Sequence, residues 1–402
     1  MKLDDYHHFS GRDWERGSLA NAFAYHGIGL PGAALNEAAL LGISGGAVFG
    51  YFTFAYAGYD PHAALVINNT FTPFETILKR LDVRHDEHTT GRAPRAVEHL
   101  QAALAAGSPA IVWADIYGMP YNLLDPDENN WAMLPVVVYG YDPQADQVWI
   151  ADRSGAPLTV TTGDLAAARA RTGKHKHRLV TLKPGALDER RVREAITAGL
   201  RDSAAFMIEG APKGAKDNWG LAALEKWAAL LVDSDSARGW PTLFGRGSAL
   251  YNGLLTAFYS LELRGVGEYG AAGRGIYADC LDSAAALLEK PALGDAAAAY
   301  RAAVPAWKAL AAALLPDSVP LLAETRQLET QARALFIADG MGSMDARTAI
   351  KTRLGAIKEE ARESFPLDDA GAAGLYDSIR AAVLAVHAAE SDAARVLQTA
   401  LA

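Results

Sequence analysis

The sequence predicts an α+β domain followed by an all-α helical bundle, with the change near Lys183-Pro184-Gly185. Two observations carry that expectation. Before this point, short β-branched and aromatic runs alternate with turn residues and a few helical stretches. After it, apolar residues recur three and four apart in long Ala/Leu-rich segments. At 402 residues, half of them hydrophobic, the chain has ample material for more than one core. Two domains are expected, 1–184 and 185–402.

The opening helix is placed at residues 14–25. Asp13 suits its N-cap, Glu15 in the first turn complements the helix dipole, and His26-Gly27 ends it. A second helix lies around residues 37–41, and a third at 93–106 stops at Gly107 with Pro109 following. Strands are read at 110–114, 136–141, 147–151 and 158–161. The turn residues Asp142-Pro143-Gln144-Ala145-Asp146 join the second and third of these as a hairpin. Residues 42–52 are glycine-rich but lack the lysine of a phosphate loop, so a tight turn feeding an aromatic strand is the reading. Beyond residue 184, helices are expected at 188–208, 221–231, 248–263, 277–288, 295–315, 320–335, 346–364 and 370–401, with no strand between them.

Bulk chemistry narrows the partners. The net charge is −9, from 38 basic and 47 acidic residues, and no Lys/Arg-rich run occurs. That argues against nucleic acid or an anionic membrane as the main partner. The single cysteine, Cys280, excludes an intramolecular disulfide and fits a reducing compartment. The first residues have no apolar signal core, and no apolar stretch approaches the ~20 residues that a span needs. A cytoplasmic protein is expected. The histidines at 7/8, 85/88 and 175/177 are scattered without acidic or thiol company, so neither a metal nor a cofactor is expected.

Three segments carry the functional argument: residues 11–19, 134–142 and 148–152. Helix N-terminus, buried strand, turn and next strand is the layout of a papain-like Cys-His-Asp site. Here the cysteine slot reads Trp14, the histidine slot reads Leu134, and only the acid, Asp152, remains. A cysteine at the first helical position would have its thiolate stabilised by the dipole, whereas an indole is only a donor. Trp14 is either a stacking or lid residue in a former cleft or a core residue that plugs it. Leu134, apolar amid apolar, reads as packing. Asp152 either caps a turn near Ser154-Gly155 or acts as a base or ligand contact. A second polar cluster, Asp115 to Asn122, leaves a strand expected to be central. Asp115 directly after Ile-Val-Trp-Ala needs a partner to offset burial. With Tyr117 and Tyr121 it can shape a pocket; the alternative is a turn with aromatic packing.

Taken together, the segments resemble the butirosin biosynthesis protein H family. The resemblance rests on Glu15, Leu19 and Tyr25-His26-Gly27-Ile28, on Asn36-Glu37 and the glycine turn of 42–51, on Asp115 to Tyr121 with Met119 where the family has leucine, and on the strand of 136–142. The second half resembles the helical domain of undefined role often fused to such proteins, through Asn218-Trp219-Gly220-Leu221, Lys226-Trp227-Ala228, Gly239-Trp240 and 273–284. The resemblance implies a papain-like N-terminal domain that moves an acyl group from a carrier-protein thioester to an amine. It also exposes two departures. The family's His-Cys-Glu reads Asp13-Trp14-Glu15, and the histidine before the valine strand reads Leu134. Thioester exchange needs a thiolate and a base within hydrogen-bond reach, so acyl-enzyme chemistry does not carry over.

The resulting expectation is a specialised-metabolism protein that promotes condensation, cyclisation or amide formation on an acyl or peptidyl intermediate without covalent catalysis. Its candidate catalytic residues are Asp115, Tyr117, Asp152 and Glu15; its candidate substrate-binding residues are Asp13, Trp14, Tyr121, Asn122 and Leu134. The alternative is a non-catalytic relative that binds or scaffolds a biosynthetic enzyme or carrier protein. A third reading moves the nucleophile to Ser10, Ser18 or Cys280. Expected partners are a small-molecule or carrier-bound acyl substrate and a biosynthetic protein, with self-association left open.

Overall fold

A computed structural model describes residues 1–69, 71–126, 130–211, 214–263 and 270–402. In chain order its first elements are α1 (Trp14–His26), β1 (Gly29–Leu30), β2 (Ala33–Ala34), α2 (Glu37–Ile43), β3 (Ala47–Phe54) and β4 (His62–Asn68). Next come α3 (Pro73–Leu81), β5 (His85–His88), α4 (Ala93–Ala105), β6 (Ala110–Asp115), β7 (Met133–Asp142), β8 (Gln147–Ala151), β9 (Leu158–Val160), α5 (Thr162–Ala170) and β10 (Leu179–Leu182). Only helices follow among the described residues. They are α6 (Glu189–Glu209), α7 (Gly220–Leu230), α8 (Trp240–Leu243), α9 (Ser248–Phe258), α10 (Arg274–Leu288), α11 (Ala292–Leu314), α12 (Pro320–Asp339), α13 (Met344–Glu363) and α14 (Asp369–Leu401). The chain is thus α+β with a helical second half, as its periodicity predicts. Among the described residues no helix is long and apolar enough to cross a membrane.

Two compact units share these elements, and each gathers separated stretches of chain. The first takes Met1–Leu40, Pro73–Val192 and Ala332–Lys351; the second takes Leu41–Thr72, Arg193–Gln331 and Thr352–Ala402.

The first unit is built on a six-stranded antiparallel sheet in the order β5-β10-β6-β7-β8-β9. The four strands read from sequence are β6 to β9. Asp142 closes the β7–β8 hairpin by accepting from the N–H groups of Gln144 and Ala145, at 2.9 and 3.1 Å. The edge strand β5 is His85-Asp86-Glu87-His88, exposed throughout and paired with β10 through its backbone, so it has no apolar alternation to read. Helix α1 is capped as expected: Asp13 accepts from Glu15 and Arg16, and Gly27 ends the helix at φ 61°. Ser18, on its buried side, donates to the Pro135 carbonyl of β7 at 3.0 Å.

The second unit joins the long helices to an antiparallel ribbon, β3–β4, supplied from the first half of the sequence. The glycine turn does feed an aromatic strand. Gly46 turns the chain at φ 71°, and Gly50 lets the ribbon approach Trp219, whose ring would lie 2.6 Å from a Cβ at that position. Behind the ribbon, Phe49, Tyr51, Trp227, Trp240 and Trp307 belong to one buried cluster, with Trp240 Nε1 donating to the Tyr51 hydroxyl at 2.8 Å.

A single guanidinium organises this core. Arg274, 0% exposed, makes a bidentate pair with Glu390 through Nε (2.8 Å) and Nη2 (3.1 Å). Its remaining hydrogens go to the carbonyls of Ala272 (2.8 Å), Ile67 (3.2 Å) and Val48 (3.1 Å). Trp307 places its ring 4.8 Å below the guanidinium and donates Nε1 to Glu390 at 2.7 Å. All five donors of the fork are therefore used, on both ribbon strands, on α14 and on the turn before α10.

Removing one member of such a pair leaves an uncompensated buried charge. Glu390→Ala is expected to lower stability by about 3–5 kcal/mol, while the double replacement Arg274→Met with Glu390→Leu recovers much of the loss. Urea unfolding followed by tryptophan fluorescence measures both; an unchanged midpoint for the single variant would contradict the assignment.

Candidate functional site

The site is built where α1 begins, and its first feature is a knot of carboxylates. Asp13 caps the helix through Oδ1, at 3.1 Å from Glu15 N and 2.9 Å from Arg16 N, and holds the Arg16 side chain through Oδ2 at 2.8 Å. Glu37, at the start of α2, is buried and receives the N–H groups of Arg12 (2.6 Å) and Asp13 (2.9 Å) on its two oxygens. The strand-like approach to α1 is thereby fixed before the helix starts. Burial, with Asp13 next, pushes Glu37 up to about 8 against the pull of those two N–H groups and Arg16. The same two causes push Glu15 up to about 7, with Arg16 and the Phe74 N–H opposing.

Directly after the cap, Trp14 begins the helix. Trp14 is 7% exposed, and the guanidinium of Arg153 lies 4.1 Å over its ring. Arg153 also stands 5.3 Å from the ring of Phe336, which carries Arg347 at 4.7 Å. Phe336 is near-parallel to Tyr121, at 6.3 Å and 14°. Such cation–aromatic layers suit arginine, which is weakly hydrated and stacks. Burial and then Arg153 bring Arg347 down to about 10, which leaves it charged at neutral pH.

Asp152, the remaining acid, is 4% exposed and already engaged. Its Oδ2 accepts from the Tyr121 hydroxyl at 3.1 Å, and its Oδ1 faces Arg153 Nε at 3.4 Å, an ion pair without hydrogen-bond alignment. Burial, with the neighbouring carboxylate, holds the Tyr121 phenol far above its usual range. The turn beyond is met by Ser154 Oγ, which accepts from Ala156 N at 3.0 Å. Arg153 Nη2 donates to Asn122 Oδ1 at 2.6 Å, and Arg347 Nη2 donates to the Tyr121 carbonyl at 2.8 Å. Gly155 N donates to the Ile337 carbonyl at 2.8 Å, so residues around 336–347 pack directly on the loop after the acid.

The candidates of the Asp115 segment divide. Tyr121 and Asn122 join the Asp152–Arg153 group, as described. Asp115 instead ends β6 and shapes its loop: Oδ1 accepts from Ala132 N (2.9 Å) and Tyr117 N (3.3 Å), and Oδ2 faces Arg171 Nε at 3.5 Å. This answers the need for a partner with a turn and an ion pair. Tyr117 lies in the 3-10 turn Ile116–Gly118 that Asp115 caps. Leu134 is half-buried on β7, opposite Ala114 of β6. Of the alternative nucleophiles, Ser10 is exposed and Ser18 is committed to Pro135. Cys280 is buried, and burial pushes its thiol up to about 12, far from a reactive thiolate.

Four contributors are absent from the candidate site residues: Arg153, Phe336, Arg347, and Glu37, which the sequence offers only through the Asn36-Glu37 resemblance. Arg153 had a usable signal, being a cation directly after a strand-terminal acid. Phe336 and Arg347 had none, since they sit in ordinary amphipathic helix far along the chain.

Comparison with known proteins agrees with the layout. Residues 13–153 match the family model described as butirosin biosynthesis protein H, N-terminal. Residues 163–336 match one described as a domain of unknown function, DUF4872. No curated protein matches the chain. The first match begins at the α1 N-cap and ends at Arg153, so it includes Trp14, Leu134 and Asp152.

The carboxylate knot gives a signed pH dependence. A carboxyl raised in the fold is protonated there at pH values where the unfolded chain has lost its proton. Its stabilisation is complete below about 4.5 and is lost as pH rises through the folded value, about 7 for Glu15. Wild type should therefore lose stability relative to Glu15→Gln between about pH 4.5 and 7, by at most about 3 kcal/mol. Parallel denaturation curves across that range would show Glu15 to be unperturbed.

Proposed function

We propose that this chain, a member of the butirosin biosynthesis protein H family through its N-terminal domain and so a biosynthesis-associated, acyltransferase-like protein, acts without an acyl-enzyme: it binds an acyl or peptidyl intermediate, or a biosynthetic enzyme that works on it, as a partner. One observation carries this reading. The guanidinium of Arg153 rests on Trp14 where the family's nucleophile would stand. Acyl transfer through a covalent intermediate requires a thiolate, a base that takes its proton and room for the incoming carbonyl. The slot offers an indole under a cation, a leucine for the base, and an acid held by Tyr121 and Arg153. Like charge speaks against the usual acidic carrier as the preferred partner, because the chain itself is at −9.

A second reading keeps catalysis but makes it non-covalent, as in condensation, cyclisation or amide formation. It is favoured by Glu15, whose proton affinity near neutrality is what a general acid or base needs.

Full-length protein incubated with acyl N-acetylcysteamine thioesters and an amine acceptor separates the two. The binding reading expects no acyl adduct by intact-protein mass spectrometry and no amide above the buffer rate. Turnover that disappears in Glu15→Gln would establish the catalytic reading, and an acylated protein would overturn both.

A further inference from the structure

A second polar site lies in the first unit, at the other end of α1 from Trp14. A cavity of about 330 Å³ is lined by His26, Asp86, His88, His99, Ser108 and Lys183, with alanines of α4 forming an apolar wall. That volume is in the range of small-molecule pockets. Its polar groups come from four elements: the end of α1, the edge strand β5, helix α4 with the loop after it, and β10 with the loop after it, which supply Thr181 and Lys183. Ser108 Oγ and His26 Nε2 are 3.3 Å apart, and the rings of His88 and His99 stand 4.7 Å apart at 39°. The lining thus holds three imidazoles and one ammonium against a single carboxylate, Asp86, which already pairs with Lys183. Arg95 and Arg169 add positive charge around His99, with Glu98 opposing, and His85 flanks Asp86. Nitrogen donors around one cavity, with few acceptors of their own, are the chemistry that receives an oxyanion.

The geometry points to a binding site for the phosphate or sulfate group of a small metabolite, held by Lys183 and the imidazoles of His26, His88 and His99. The site is separate from the Trp14 cluster and does not rest on the function proposed above. It also has a proton linkage. Burial, then Lys183, lower the basicity of His26; burial, then His88, lower that of His99. Both rings are therefore largely neutral near pH 7 in the empty cavity. A bound dianion favours their protonated forms, so binding takes up protons and tightens as pH falls from 8 to 6.

Sodium sulfate is the probe, because it stays dianionic across this range and any pH dependence then belongs to the protein. Isothermal titration of the full chain at constant ionic strength should show sulfate binding about tenfold tighter at pH 6 than at pH 8, within the roughly hundredfold that uptake of one proton per site allows over two pH units. Lys183→Met and His88→Ala alter exposed side chains. Each should weaken binding at pH 6 by at least about fivefold, with an unchanged melting temperature. Equal affinity at the two pH values, or sulfate affinity untouched by both replacements, marks an adventitious ion only and overturns the proposal. Succinate binding as tightly as sulfate would overturn the tetrahedral-anion class.

Discussion

The second unit depends on where one buried positive charge can discharge its five hydrogens. A guanidinium removed from water is tolerated only if every donor is satisfied and its charge is matched. Arg274 meets both conditions by drawing on parts of the chain far apart in sequence: the Val48 and Ile67 carbonyls of the ribbon, the Ala272 carbonyl before α10, and Glu390 of α14. The requirement explains an otherwise costly stretch of backbone. Residues 270–273 all have positive φ, including Ala271 at 47° and Ala272 at 53°, which non-glycine residues adopt at a penalty of roughly 1–2 kcal/mol each. That turn delivers the Ala272 carbonyl to Arg274, while Glu262 accepts from Ala271 N at 2.8 Å on its other side.

The first unit solves a similar problem differently. Its buried cations are covered by aromatic faces as well as by acids: Arg153 on Trp14 and Phe336, Arg347 on Phe336. These residues lie within or against the segment that matches the N-terminal family model, and they keep the region polar. Asp152, Arg153, Tyr121 and Asn122 engage one another, while Trp14 Nε1, Asp152 Oδ1 and Arg153 Nε are left without a hydrogen bond among the described residues. The carboxylates at the head of α1 stand apart, since burial leaves Glu15 and Glu37 with proton affinities well above the usual carboxylate range.

Sequence reading captured what depends on short-range pattern. The strands β6 to β9, the β7–β8 turn, the caps of α1 and the succession of helices after residue 184 all follow from periodicity and capping residues. It missed β5, a strand of four exposed polar residues that exists because β10 offers it backbone partners. It missed β4 for a related reason, as the ribbon's place is decided by helices far along the chain. At the candidate site, Trp14, Tyr121, Asn122 and Asp152 were legible as neighbours through the inferred helix–strand layout. Asp115 was legible as a buried acid in need of partners, but not as one satisfied by Ala132 N and Arg171. Phe336 and Arg347 were invisible because only tertiary packing brings α12 and α13 to Asp152 and its loop.

The ribbon carries an implication for how such chains are inherited. Residues 47–68 lie inside the segment that matches the N-terminal family, yet they pack in the core of the unit made by the later helices. The two family segments are consequently interlocked rather than strung in tandem. Shuffling one onto a foreign neighbour would leave Arg274 facing empty space where the carbonyls of Val48 and Ile67 belong, so evolution has reason to move the pair as a single cassette.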